Sequence, residues 1–323
     1  MRRREFLSVL SGAAAWPVVA RAQQPKMPVI GLLGTAANAA YVDAIRRGLK
    51  ETGFVEGNNL SMEYRWAEGH YDRLHSMAAE LVSRQVSLIV TSGGALPAMA
   101  AKAATSTIPI VFHMGDDPVR VGVVASVNRP SGNVTGVSFL SVVSATKRIE
   151  LLGALAPKAK VIGVLIHPDN PAAQSTVKDL QAAARALGLQ LYAVTARDET
   201  DIDAAFANLV QKGAEALISA PDPVFRLHTA KIIAMAEHYA LPTMYPTRDF
   251  VVAGGLISYG ADIVDAYREE GVYAGRILKG MKPADLPVLQ SAKFQLVINT
   301  RTAKQLGLGV SDKLLALADE VIE

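Results

Sequence analysis

The sequence predicts two similar doubly wound α/β lobes, each a parallel sheet with helices on both faces, joined by a hinge. Three observations carry this. Short β-rich runs alternate with single amphipathic helices, a pattern that builds parallel sheets covered on both sides. The pattern then starts again: Val161, Ile162, Gly163, Val164 and Leu165 repeat Val29, Ile30, Gly31, Leu32 and Leu33 at an offset of 132 residues, and Asp249 stands 132 residues after Asp117. A shared offset at both ends of a seven-element pattern identifies a duplicated unit. Finally, 323 residues, half of them hydrophobic, suffice for two ordinary cores.

The chain opens with a basic start, an apolar stretch over Phe6–Ala20 broken by Gly12 and Pro17, and a small-x-small site at Ala20, Arg21, Ala22. Residues 1–22 therefore read as an export signal cleaved after Ala22. Arg3, Arg4, Glu5, Phe6 and Leu7 resemble the twin-arginine motif, although Arg2 stands where that motif prefers Ser or Thr; an ordinary secretory signal is the other reading. The formal charge of +3 lies wholly in this segment, since Arg2, Arg3, Arg4 and Arg21 outnumber Glu5 and the remainder balances. Charge thus gives no reason to expect a nucleic-acid partner. The absence of cysteine removes disulfides, thiolate catalysis, thiolate-bound zinc and the lipid-acceptor cysteine of a membrane tether. The expected product is a periplasmic monomer without a membrane anchor.

In chain order, Val29–Leu33 is a strand and Tyr41–Gly53 a helix with Val42, Ile45 and Leu49 on one face. Leu60–Trp66 alternates as a strand, Tyr71–Arg84 is helical, Leu88–Thr91 a strand and Leu96–Thr105 a helix. Ile110–Met114 follows, stopped by Gly115, Asp116, Asp117 and Pro118; Val119–Val127 reads as a short helix and Val134–Phe139 as a strand. The second unit places strands at Val161–Leu165, Leu189–Val194, Ala216–Ala220 and Leu241–Tyr245. Its helices fall at Ala172–Leu187, Asp201–Lys212 and Val224–Tyr239. The lobes are expected at residues 27–140 and 143–258, with a hinge near Ser138–Thr146 and a return crossing at Ile257–Ala261. Tyr267–Lys279 reads as a helix, Phe294–Ile298 as a strand and Asp312–Ile322 as a closing helix. The segment 261–323 is expected on the first lobe and the hinge.

Chemistry that such a fold often hosts is missing. The first strand-to-helix loop, Gly34–Asn38, has neither a dinucleotide fingerprint nor a phosphate-loop lysine, so no cofactor is expected. No G-x-S-x-G elbow occurs, and the six histidines are scattered, with no spacing for a metal. His113, ending the central strand, reads either as a cleft residue or as a structural histidine.

The strand ends offer binding groups instead, and in an open α/β sheet ligands sit at the carboxyl ends of strands. Ser92, Gly93 and Gly94 precede a helix, whose N–H groups and dipole suit an anion; a plain helix cap is the alternative. Asp116, Asp117, Asp222 and Asp249 suit an ammonium group, and each also reads as a cap or turn residue. Asn170 carries the same ambiguity. Tyr41, Phe225, Tyr245 and Tyr259 lie near loop ends, where they either stack on a ligand or pack the lobes.

Three stretches carry a family resemblance over the whole mature chain: GFVEGNNLSMEYRWAEGHYDRL (Gly53–Leu74), PIVFHMGDDPVRVGVVASVNRPSGNVTGVSF (Pro109–Phe139) and FQLVINTRTAKQLGLGVSDKLLALADEVI (Phe294–Ile322). They resemble the ABC-transporter substrate-binding proteins of the group that includes tryptophan and tyrosine binders, with the periplasmic-binding-protein type I fold. Ser131 replaces the first glycine of the segment that resembles P-G-G-N-V-T-G. The resemblance implies two lobes closing on a small organic solute, an amino acid among the candidates, for delivery to a membrane permease. It also implies binding loops at Thr35, Asn38, Ser92, Gly93, Gly94, Asp116, Asp117, Asn170, Asp222, Tyr245 and Asp249. His113–Asp116 departs from the aromatic-amino-acid members, so the resemblance does not fix the ligand. An exported hydrolase or oxidoreductase and a ligand-sensing protein of a signalling complex share these features. A lactose-repressor-like protein does not, because an export signal stands where DNA-binding helices would be.

Overall fold

The computed structural model describes residues 27–130, 132–139, 144–291 and 293–323. The export signal, Ser131 and the middle of the expected hinge lie outside the described residues. Strands β1 (Val29–Gly34), β2 (Ser61–Trp66), β3 (Leu88–Ser92), β4 (Ile110–Met114) and β5 (Val134–Ser138) form a parallel sheet ordered β2-β1-β3-β4-β5. Its helices are α1 (Ala39–Glu51), α2 (Leu74–Ser83) and α3 (Ala95–Ala104). After helix α4 (Ser144–Leu155), strands β6 (Val161–Ile166), β7 (Gln190–Thr195), β8 (Ala216–Ser219), β9 (Thr243–Tyr245) and β10 (Ile257–Ala261) repeat that order as β7-β6-β8-β9-β10. The duplicated pattern is therefore a duplicated topology, with every loop expected to bind solute at a carboxyl strand end. Helices α5 (Ala173–Ala186) and α6 (Glu199–Gln211) cover opposite faces of the second sheet.

Several expectations change. No helix forms over Val119–Val127, because Asp117 caps a single turn through the Val119 and Arg120 amides and Gly122, at φ +77°, ends it. The helix read over Val224–Tyr239 breaks at His228 into α7 (Pro223–Leu227) and α8 (Thr229–His238). A short helix α9 (Arg248–Val252) follows β9. The tail, expected on the first lobe and hinge, divides. Helix α10 (Ile263–Leu278) and strand β11 (Leu289–Gln290, beside β5) pack on the first sheet, whereas β12 (Phe294–Asn299) pairs antiparallel with β10 in the second. Leu296 and Ile298 are drawn into the second core with helices α11 (Thr300–Gln305) and α12 (Asp312–Leu317). The closing helix stops at Leu317 because Asp319 instead exchanges hydrogen bonds with the Leu296 backbone, leading into strand β13 (Glu320–Ile322). The chain thus passes between the sheets after β5, after β10 and after β11, and Ile257–Ala261 is itself a strand that ends at the second crossing.

Helix α10 brings tail residues to the first lobe by packing unusually close to α1. A Cβ at Gly48 would overlap the Arg268 carbonyl, and one at Gly271 would overlap the Ile45 carbonyl, so only glycine permits the approach. The same helix buries Glu270 completely, with neither carboxylate oxygen partnered. Burial pushes its carboxyl well above the usual range. A raised acid contributes stability fully present below its unfolded pKa and lost as pH rises through the folded value. Glu270→Gln is therefore expected to melt like the parent near pH 4 and several degrees higher at neutral pH. Thermal denaturation across that range checks it; equal melting temperatures at neutral pH would contradict it.

Candidate functional site

A cavity of about 160 Å³ lies between the carboxyl ends of the two sheets. The first lobe gives it Thr35 and Asn38 after β1, Ser92, Gly93 and Gly94 after β3, and Asp116 after β4. The second gives Asn170 after β6 and Asp222 after β8. Eight of the expected residues are thus brought together. Gly93 sits at φ +96°, and a Cβ there would collide with the Thr35 hydroxyl, so the two loops close on each other only around glycine.

The other three stand elsewhere. Asp117 lies outside the cavity as the turn cap described above. Tyr245 is buried in the second core, stacked on Phe250 at 5.0 Å between ring centres. Asp249 does not line the cavity but accepts a short hydrogen bond from the Tyr41 hydroxyl. Arg248 pairs with Glu320, so the loop after β9 is not a charged counterpart of the loop after β4.

Groups less legible in sequence form the walls. His113, Tyr267 and Tyr41 stack in series, with ring centres 3.8 and 4.5 Å apart, and the Arg226 guanidinium lies 4.9 Å over the Tyr41 ring. Tyr267 comes from α10 and is held by a 2.8 Å hydrogen bond to the Ser92 hydroxyl. Tyr71 reaches from the first lobe to donate to Asp222 at 2.9 Å. Tyr71 and Arg226 had no individual signature. Arg226 lies four residues after the cap residue Asp222, one helical turn along the same face, which is the signal that would have found it.

Charge is distributed unevenly. Asp222 is fully engaged: it caps α7 through the Val224 amide and accepts from Tyr71 and from Asn170. Burial nevertheless raises its pKa. Burial also lifts Asp116 to about 6, opposed by the Ala95 amide and reinforced by Asp222. Asp116 therefore occupies the N-terminus of α3 that Gly93 and Gly94 open, the position read from sequence as an anion site. His113, 3% exposed, is pulled down to about 3 by burial and by Arg226, so it is neutral, with Nε2 unpartnered. Arg226 is raised: burial opposes its charge, but Tyr41, Tyr267, Asp249 and Asp222 outweigh that. Its Nε has no partner, and no carboxylate among the described residues forms an ion pair with it.

A family model described as ABC transporter substrate binding protein matches residues 18–322. The chain belongs to that family. It serves as a transporter's substrate-binding component, which binds a small molecule for a membrane permease. A tyrosine-binding protein of Clostridioides difficile (strain R20291) is 27% identical over 263 residues, 81% of this chain and 75% of that protein. An ABC domain from Streptococcus pneumonia in complex with L-Trp superposes with a TM-score of 0.84 at 25% identity, covering 92% of this chain and 100% of the other. A ligand-free, open substrate-binding protein with adhesive properties from Clostridium difficile gives 0.66 at 25% identity, covering 91% and 99%. The lobes here are arranged more like the L-Trp complex, in keeping with the contacts of Tyr41 and Tyr71 across the cleft. No helix among the described residues is long and apolar enough to cross a membrane.

The position of Asp117 has a direct consequence. Asp117→Ala is expected to cost about 1 kcal/mol of stability, as for loss of a side-chain cap, and to leave solute affinity unchanged. Denaturant melts and titration calorimetry on the same samples check both; a marked loss of affinity would return Asp117 to the site.

Proposed function

We propose that the solute is an amino acid with a flat side chain, held as a zwitterion in the closed cavity. The observation that carries this is an arginine without an ion-pair partner and a half-buried carboxyl, Asp116, on one cavity walled by stacked rings. A solute carboxylate at Arg226 and an ammonium group near Asp116 satisfy both, and Tyr41, Tyr71, Tyr267 and Phe139 supply surfaces for the side chain. The similarity to the tyrosine-binding protein and to the L-Trp complex supports the same class. Thr35, Asn38, Ser92, Gly93, Gly94, Asn170 and Asp222 shape the cavity in this reading.

The rest of the proposal is cellular. The chain is exported through residues 1–22 by the twin-arginine route, acts in the periplasm as a monomer, and hands its solute unchanged to the permease, with no catalytic step.

Native mass spectrometry of protein purified without refolding, followed by calorimetry with a panel of free amino acids, tests the ligand class. An aromatic amino acid is expected to bind and to alter the fluorescence of Trp66. Binding of a neutral sugar with no response to any amino acid would sink the reading. Arg226→Ala is expected to lower affinity by about 3 kcal/mol, roughly a hundredfold, as when one partner of a buried charge pair is removed. An ammonium group favours ionised Asp116, so protons compete with the solute. Affinity in the parent should therefore decline as pH falls through about 6, and Asp116→Asn should flatten that decline. A parent affinity independent of pH in this range would contradict the assignment of Asp116.

A further inference from the structure

A smaller chamber of about 40 Å³ adjoins the main cavity and shares Phe139, Pro221, Arg226 and Ile263 with it. Its other walls include Arg148, Thr247 and Phe294. No acidic side chain among the described residues lines it. Arg148, on α4, is only 4% exposed, and its Nε donates to the Tyr259 carbonyl at 2.8 Å. Neither Arg148 nor Arg226 has an ion-pair partner among the described residues. Asp179 borders a separate pocket on Arg148, outside ion-pair distance, with its own Oδ2 unpartnered. Burial pulls Arg148 down to about 10, which leaves it cationic at neutral pH. The Thr247 hydroxyl is also buried without a partner.

Two guanidinium groups and an orphan hydroxyl thus border one small space whose remaining walls are apolar. Guanidinium groups only donate hydrogen bonds. Apolar surroundings strengthen their field and make uncompensated charge costly. An anion of matching size removes that cost, whereas a neutral molecule does not. The chamber's volume suits a single carboxylate group or a halide rather than a whole solute.

We propose that this chamber is an anion subsite, in which Arg148 and Arg226 hold one carboxylate-sized or halide-sized anion with the Thr247 hydroxyl as a further donor. The anion has two possible sources of the same chemistry: a free inorganic ion, or an acidic group at the far end of the solute. The second source rests on the main cavity being the solute site; the first does not.

The test uses the full chain, freed of solute, in buffer without halide or carboxylate, with Arg148→Met as the control for ionic strength. Sodium bromide and sodium formate are titrated while melting temperature is followed. A saturable rise of several degrees is expected in the parent, absent in Arg148→Met and weakened in Thr247→Val, which keeps both charges and guards against a misfolded arginine variant. Calorimetry then separates the sources. A bromide response that persists with a neutral amino acid bound identifies a free-ion site, whereas bromide that competes with an acidic amino acid but not with a neutral one identifies the solute's own acid. A parent whose melting is indifferent to bromide and formate, together with Arg148→Met and Thr247→Val variants that bind neutral and acidic amino acids as the parent does, overturns the proposal. Amino-acid binding without any anion response would fail the chamber alone, and an anion response without amino-acid binding would fail the ligand class alone.

Discussion

The closed arrangement depends on side chains of one lobe meeting those of the other without an intermediary. Tyr41 touches Asp249 through its hydroxyl and Arg226 through its ring face, and Tyr71 touches Asp222. Each of these aromatic residues is fixed from behind by its own lobe: Tyr41 by stacking on Tyr267, and Tyr267 by Ser92 and His113. The cavity walls are therefore set by contacts at its rim. Displacing α10 would remove Tyr267 from the stack, which makes the glycine-mediated packing of α10 on α1 part of the site although it lies away from it.

The electrostatic layout follows from the same arrangement. Nearly all acidic groups at the strand ends are engaged: Asp117 in a turn, Asp222 as a cap and bridge, Asp249 with Tyr41, and Asp116 at the start of α3. Arg226, on the second-lobe side, has no ion-pair partner among the described residues, and its Nε is unpartnered. A guanidinium group without an ion-pair partner attracts anionic groups, and burial limits the screening by water. On the proposed reading, a zwitterionic solute places its carboxylate on the arginine side and its ammonium group near Asp116 on the opposite lobe. Contact with both lobes is what makes such a solute select the closed state.

The fold was legible in the sequence because hydrophobic period and strand-to-helix spacing are local properties, and the repeat fixed their arrangement twice. The offset between Asp117 and Asp249 marked a true structural equivalence but not a shared role. After β4 the chain turns immediately, and Asp117 satisfies amides within that turn; after β9 a helix starts, and Asp249 faces the other lobe. Tyr245 looked like a loop-end aromatic, yet its ring lies inside the second core on Phe250. Tyr267 and Arg148 were not legible as site residues because tertiary paths bring them in: one on a helix that returns to the first lobe, the other on the helix that follows the first crossing. The division of the tail was hidden for the same reason, since the pairing of β12 with β10 is not a local property.

Contacts across the cleft that do not involve solute have a further consequence. Whatever they contribute to closure is independent of which solute is present, so they raise affinity for every ligand alike and discriminate among none. Discrimination must come from groups that remain unsatisfied when the lobes are shut. In this cavity those are Arg226 and the neutral His113 Nε2, with Asp116 held near its titration range. In the proposed reading the tyrosine bridges and the unpaired arginine therefore perform different tasks: the bridges set how readily the lobes meet, and the unsatisfied groups discriminate among solutes. A solute lacking an anionic group would close the lobes over a guanidinium without a direct ion-pair partner, and the low polarity that strengthens a correct pairing would then count against binding.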